Sequence, residues 1–508
     1  GVDNLDYDLS DYELKVDNNY WATNSPDFRQ LIGVYGSEEV LASPESFVVM
    51  TIEGPDILNL GEEGNYTINL NKINKSGTIE EITEFLPDYD MDIEPLKNAV
   101  NPETVTIKDG SAKFVITAGT AGTDTIYGTK FLDERCEKEI LVQKIFEGNE
   151  IYVDNSKEVS GDGSLESPVN TVEEAISLAN SAGNPVTIYI LNGTYNEVNM
   201  TIENNMTIRN YNDAEVTFDG NGEGWFFYSN NADNSLTLIG MTFANGYRFN
   251  SDDSTDGGAI KTEGHLEVIN CTFINNYGGT GGAIHSENGA DIENSTFTNN
   301  SAKYSGGAIY VLDGETNLIN DTFDNNSAKR QGGAVRVQGD LNIVDSTFTN
   351  NSVETKNDAG SGGAVRVTDG DLTVKDSEFA NNYARMDGGA ISAGDDSQYS
   401  SIHYNVEIDN STFVGNQART GAGIVANDGL TITNSTIANN TVPESTSARF
   451  GNGVGIYVLN GDSNLTGNTI LNNSNPYNPD AVDVYIYAGT TDAIACHAFF
   501  QIIGPTTI

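Results

Sequence analysis

One phrase of residues recurs through the second half of this chain. Gly-Gly-Ala-Ile/Val stands at Gly257, Gly281, Gly306, Gly332, Gly362 and Gly388 and returns in worn form at Gly421 and Gly453, a repeat of roughly 24 to 33 residues. Between copies lie segments such as Thr296-Phe297-Thr298-Asn299-Asn300 and Thr322-Phe323-Asp324-Asn325-Asn326. A period of that size means stacked units rather than a closed globule.

Within a unit, Ala334-Val335-Arg336-Val337 and Leu341-Asn342-Ile343-Val344 alternate apolar and polar residues, the two-residue period of a strand. The repeats contain no helix-length segment. Three short strands fit each unit, around Gly-Gly-Ala-Ile, Leu-x-Ile and Ser-Thr-Phe, with Gly, Asn and Asp at the corners. The expected fold is all-β, a parallel β-helix with three strands per coil, each strand about 4.8 Å from its equivalents. Like residues then stack on like. Phe273, Phe297, Phe323, Phe348, Phe379 and Phe413, continued by Ile437 and Ile470, should form one internal column, and Ile284, Ile309, Val335, Val365 and Ile391 a second. Asn275, Asn299, Asn325, Asn350 and Asn381 should share a corner where amides bond along the stack.

Charge narrows the function. Lys and Arg number 25 against 74 Asp and Glu, a formal charge of −49 in 508 residues, which argues against nucleic acid or anionic membrane as partner. No D-x-D-x-D-G loop occurs, so no cofactor or metal is expected and calcium lacks a motif. Cys136, Cys271 and Cys496 are too sparse for a disulfide framework, and a pairing of Cys136 with Cys496 stays open. No apolar run approaches the length of a membrane span. Gly1 in place of a start methionine reads as a processed or excised form. Sequons are dense, among them Asn65, Asn74, Asn192, Asn199, Asn270, Asn294, Asn320, Asn410, Asn434 and Asn464. They mark an exported, glycosylated protein, or else an Asn- and Thr-rich repeat makes them by chance.

Four segments follow in order. Residues 1–40 are acidic and carry a patch with Tyr20, Trp21 and Phe28 that reads as a packing surface. Residues 41–147 hold alternating runs such as Tyr66-Thr67-Ile68-Asn69-Leu70 and Ala112-Lys113-Phe114-Val115-Ile116, an immunoglobulin-like sandwich expected to act as spacer or docking module. Residues 148–490 form the β-helix. They open with a helix from Thr171, whose Thr171/Glu174 capping box and apolar face Val172, Ala175, Ile176 and Ala179 suit it to cover the open first coil. Residues 491–508 are an apolar tail or strand containing Phe499 and Phe500.

The run from Gly161-Asp162-Gly163-Ser164 through the helix to Ile188-Tyr189-Ile190-Leu191-Asn192-Gly193-Thr194-Tyr195 resembles the opening of pectate-lyase-like right-handed β-helices. The F-x-N-N and G-G-A-I repeats resemble adhesin-like surface proteins of methanogenic archaea and, more distantly, polymorphic outer-membrane protein repeats. The patch Asn18 to Phe28 is similar to a tryptophan signature that closes a β-helix in those adhesin-like proteins, with Tyr20 in place of its first Trp and Ala22 in place of its Gly. The resemblance implies a secreted or wall-attached archaeal surface protein. The patch stands before the β-helix here, which leaves three readings: a fragment of a longer repetitive protein, subunits joining head to tail, or a C-terminal strand serving as its own cap.

Chemistry is a separate question from fold. A polysaccharide hydrolase needs converging carboxylates, and the candidates Asp252, Asp253, Asp256, Asp387, Asp395 and Asp396 all fall in turns or insertions. His265, His285, His403 and His497 are isolated. The expectation is therefore no enzyme, with a lyase or hydrolase as second alternative. If Val335 and Val337 point inward, Arg336 points outward, and its equivalents Lys261, His285, Tyr310, Arg366, Ser392, Val425 and Tyr457 make a basic and aromatic stripe. Such a stripe suits a glycan or carboxylate ligand, or simply stabilises a solvated face. Long coils add loops at 355–358, 395–403 and 443–452. The sequence thus points to an extracellular adhesin-like protein binding glycan or neighbouring cells, with a head-to-tail filament as alternative.

Overall fold

The computed structural model describes residues 46–75, 78–81, 88–120, 122–129, 135–143, 146, 148–248, 256–354, 360–394, 404–443, 453–478, 481–488, 491–497 and 500–502. The chain divides into two compact units, Gly1–Phe146 and Glu147–Ile508.

In the first unit, two five-stranded sheets share one core. Ser46–Glu53, Glu63–Lys75, Ser111–Thr117, Ala99–Asn101 and Thr78–Glu81 form one sheet; Ile57–Asn59, Arg135–Gln143, Gly122–Thr129, Tyr89–Pro95 and Thr104–Ile107 form the other. Period-2 alternation turns Tyr66, Ile68, Phe114 and Ile116 inward from one side and Met91, Ile93, Ile126 and Ile140 from the other.

The second unit is a parallel β-solenoid. Its first strand, Glu150–Val153, pairs in parallel with Val186–Ile190, and the helix Val172–Ser181 lies between them in sequence. Val172, Ala175, Ile176, Leu178 and Ala179 are buried against these strands. Thr171 Oγ1 accepts from Glu174 N at 3.2 Å, but the Glu174 carboxylate takes the Ser160 hydroxyl instead of closing a capping box. Glu197 completes the cap, accepting from Val172 N at 3.0 Å and Glu173 N at 2.7 Å.

From there each coil lays its strands onto the last. The coil from Ile284 to Ala302 contributes Ile284–Ser286 to a twelve-stranded sheet, Ala290–Glu293 and Thr296–Thr298 to a 23-stranded sheet, and the short Ser301–Ala302 to a third. Register holds residue by residue, Phe273 to Phe297 to Phe323 to Phe348 to Phe379 to Phe413, then Ile437 and Ile470. Rings from Phe243 to Phe413 follow one another at 4.6–4.9 Å, and Phe218 extends the column at 5.3 Å. Ile284, Ile309, Val335, Val365 and Ile391 stack likewise. The strands Thr491–His497 and Phe500–Ile502 continue the two large sheets, so the described part of 491–508 is built as further parallel strand.

The continuous amide ladder lies one residue after the expected corner asparagines, although Asn325 does donate to Asn299 along the stack, at 2.6 Å. Asn275, Asn299, Asn325, Asn350 and Asn381 hold φ of 57°, 57°, 56°, 57° and 57°, the left-handed turn of the corner. The next residue, Asn276, Asn300, Asn326, Asn351, Asn382, Asn416 and Asn440 in turn, faces inward. Its Nδ2 donates to Oδ1 of the following coil at 2.8–3.0 Å. The second Nδ2 proton goes to a phenylalanine carbonyl of the preceding coil, as from Asn326 to Phe297 at 2.9 Å. A second buried ladder runs Cys271, Ser295, Asp321, Ser346, Ser377, Ser411, Ser435 and Asn468, each backbone N–H bonding the next side-chain oxygen at 2.7–3.2 Å.

Candidate functional site

The outward column of the twelve-stranded sheet is the place to look for function. Tyr228, Lys261, His285, Tyr310, Arg336, Arg366, Ser392, Val425 and Tyr457 pair in that order, and Tyr485 follows. Successive members touch: Lys261 Nζ lies 5.2 Å from the Tyr228 ring centroid, His285 stacks on Tyr310 at 5.1 Å, and Arg336 Cζ stands 5.7 Å from Tyr310.

An ionic cluster gathers at the early end of the column. Asp256 binds Arg248 Nε at 2.9 Å and Lys261 Nζ at 3.1 Å, and Lys261 also reaches Glu287 at 3.2 Å. Arg248 Cζ lies 3.7 Å over the Trp225 ring, while Tyr228 donates its hydroxyl to Glu263. Burial and the Glu263 contact push the Tyr228 phenol up to about 12. Trp225 Nε1 and Arg248 Nη1 are buried donors with no acceptor among the described residues.

The column is not the solvated stripe that strand alternation suggested. Arg366 is 0% exposed and His285 3%, and Tyr310, Ser392 and Val425 are buried with them. The cause is a second layer: the segment leading into each Gly-Gly folds back over the strand that follows. Thr280 Oγ1 sits 2.8 Å from His285 Nδ1, and Arg336 Nη1 donates to Gln331 at 2.5 Å. Gly332 and Gly362, at φ of 62° and 69°, come so near the strand that an added Cβ would lie 3.0 Å from Cβ of Arg336 and Arg366. Arg366 Nη1 donates to the carbonyls of Val367 and Ser392 at 3.0 and 3.2 Å. Burial, helped by Lys261, holds the His285 imidazole down to about 4, so it is neutral at pH 7. Lys261, Arg336 and Tyr457 keep partial exposure.

The other expected residues are scattered. Asp256 is an ion-pair partner and Asp387 sits on a bridge between Ser361 and Thr420. His265 Nε2 lies 3.0 Å from Asp291 Oδ2. Asp252, Asp253, Asp395, Asp396 and His403 lie outside the described residues, as do Tyr20, Trp21, Phe28, Phe499, the loops 355–358 and 395–403, and all of the loop 443–452 beyond Pro443. His497 closes one late strand and Phe500 opens the last. Cys136 and Cys271 are free, buried thiols, pushed up to about 12 and about 11 by burial. Among the described residues no group of three or more His, Cys, Asp or Glu could hold a metal ion, and no helix is long and apolar enough to cross a membrane.

The sequons acquire a structural origin. Asn270, Asn294, Asn320, Asn410 and Asn434 are exposed corner residues at φ of 47–55°. The residue after each enters the buried Ser ladder, and the Thr after that faces out of the strand. The fold itself therefore asks for Asn-Ser-Thr. Asn65, Asn192 and Asn199 are exposed outside this pattern, with Asn74 and Asn464 half-buried.

Residues 294–312 match the Chlamydia polymorphic membrane protein repeat. That segment contains Phe297, the Asn299-Asn300 pair and the Gly306-Gly307-Ala308-Ile309 phrase. No curated protein matches the chain. Among solved structures, that of the pectate lyase Pel9A is similar at 15% identity, covering 72% of this chain and 78% of that one, with a TM-score of 0.27.

Proposed function

We propose that this chain is a non-catalytic, extracellular, adhesin-like cell-surface protein. In this reading a right-handed β-helix, three main strands to the coil and closed at its first coil by the helix Val172–Ser181, displays binding surface toward a glycan or neighbouring cell. The preceding sandwich is an immunoglobulin-like spacer. The observation that carries the reading is the unbroken register of the Phe and Asn columns, within which the segment 294–312 matches a repeat named for a membrane protein. A stack of coils tied at every rung is a stiff support, and its formal charge of −49 keeps it solvated. Archaeal origin is part of the proposal, on the resemblance of the repeats alone.

Beads coated with the full chain and passed over immobilised glycans or whole cells test it. Retention that uncoated beads do not show is the expected result. Absence of retention on every surface, or release of unsaturated uronic-acid products from pectin, would overturn it. A filament subunit is the second reading, favoured because, among the described residues, Thr491–His497 and Phe500–Ile502 are the outermost strands of their sheets and offer an edge to another copy. Concentration-dependent filaments in electron micrographs, abolished by deletion from Ala493 onward, would put that reading first.

A further inference from the structure

The short third sheet carries an outward column of its own: Tyr247, Tyr277, Ser301, Ser327, Ser352 and Tyr383. Its first two members are aromatic, with rings 5.4 Å apart and 14° from parallel, and Tyr247 remains 39% exposed. Beside them lies an open cavity of about 410 Å³, lined by both tyrosines and by Asn221, Asn245 and Asn275. Gly222 also borders it, and a Cβ built there would meet nothing within 4 Å.

The tyrosine pair distinguishes this corner from the next copies, which carry Ser301, Ser327 and Ser352 in the column. In later coils, Asn325 and Asn350 close the same corner by donating to Asn299 and Asp324 at 2.6 and 2.9 Å. Asn245 Nδ2 is held in the same way by Asp219 Oδ1 at 2.9 Å, which leaves its Oδ1 as an acceptor. Among the described residues, the side chains of Asn221 and Asn275 make no hydrogen bond. Two aromatic rings beside three amides present apolar surface and paired donors and acceptors together. Those are the two things a pyranose offers in return: a face of C–H groups and neighbouring hydroxyls.

The geometry points to a saccharide slot at Tyr247, Tyr277, Asn221, Asn245 and Asn275 that takes a neutral hexopyranose. Neutrality follows from the surroundings: among the described residues no Lys or Arg lines the cavity, and a chain of formal charge −49 repels a uronate. This deepens the surface-binding reading and rests on it for its biological purpose, but not for its chemistry.

Saturation-transfer NMR on the full chain with the methyl glycosides of glucose, galactose, mannose and glucuronic acid is the test. At least one neutral glycoside should receive saturation, the glucuronide less. Tyr247→Ser installs the residue that Ser301 and Ser327 hold in equivalent positions, so the coil is kept. It should weaken binding about tenfold, as should Asn275→Ala. Tyr383→Ser, in the same column but outside the cavity, should leave it unchanged. The slot is overturned if no neutral glycoside is saturated, if Tyr247→Ser binds as the wild type does, or if the glucuronide binds best. Bead retention that survives Tyr247→Ser would separate the two ideas, removing the slot as the adhesive site while leaving the surface reading standing.

Discussion

The two units bury polar groups in opposite ways. In the sandwich Asp124 and Asn98 form a local knot: Asp124, 1% exposed, accepts from the backbone of Lys97 and Asn98 and from Asn98 Nδ2, and Asn98 Oδ1 accepts from Gly119 and Thr120. In the solenoid the inward asparagines repeat one bonding pattern coil after coil. The knot fixes one junction of loops through contacts made only there. A rung of the ladder is shared, since its oxygen serves the coil before and its N–H groups reach both neighbours. Damage to the knot is thus felt by a whole small domain, and damage to a rung divides a long one.

The largest effect expected is from Phe323→Ala, which empties the middle of the ring column and should cost about 3–5 kcal/mol. Urea unfolding followed by circular dichroism should then split into two transitions in the solenoid. Phe114→Ala in the sandwich, of similar cost, should move one transition without splitting it. A single shifted transition for Phe323→Ala would erase the contrast. Next, Asn326→Ala removes the acceptor of Asn300 N and Nδ2 and the donor to Phe297 O, and should cost about 3 kcal/mol. Asn325→Gly, one residue earlier at the positive-φ corner, should change stability by about 0.5 kcal/mol or less in thermal melts. Asn98→Ala should match the rung in size, because it leaves Gly119 and Thr120 N–H groups unbonded.

Asp321 sharpens the comparison further. It occupies a serine position of the second ladder, and burial pushes its carboxyl up to about 8. The folded chain then keeps a proton that the unfolded chain has already lost. The stability this contributes is full below about pH 4 and is lost as pH rises through about 8. Asp321→Ser should therefore raise the melting temperature at pH 8, by about 2 kcal/mol in stability, and flatten the fall between pH 5 and pH 8. An unchanged pH profile would show that the carboxyl is not held neutral. A small effect is also expected at the partly exposed pairs of Lys261 with Asp256 and Glu287, where Lys261→Ala should cost about 1 kcal/mol or less and lose even that in high salt.

The repeat made the apolar columns legible because period and alternation together say which residues face in and which stack. The same pattern left the Asn-Asn pair ambiguous, since nothing in the period says which asparagine turns the corner. The sequence holds a signal for it at Gly415-Asn416, where glycine replaces the first asparagine and the second remains. Glycine substitutes readily for asparagine at positive φ, and Gly415 has φ of 67°. The Ser ladder could have been found the same way, from Asp345 and Asp376 replacing the corner Asn while Ser346 and Ser377 persist. Burial of Arg366 was beyond reach of alternation, which assigns a side of the sheet but not whether more chain covers it. The Tyr247 cavity was equally hidden, because it depends on side chains from three coils meeting at one corner.

The inward asparagine has an implication for how such a chain can change over generations. Each coil from Asn300 to Asn440 brings the donor for one junction and the acceptor for the other, so an additional copy of the unit, spliced in at a Gly-Gly boundary there, finds its partners already waiting. Gene duplication can lengthen the protein by about 4.8 Å per copy without any compensating substitution. Spacings of 24 to 34 residues between successive rungs show the same tolerance sideways, since extra residues swell the loops and leave the junctions alone. Reach and decoration are thereby free to vary while the joint stays constant.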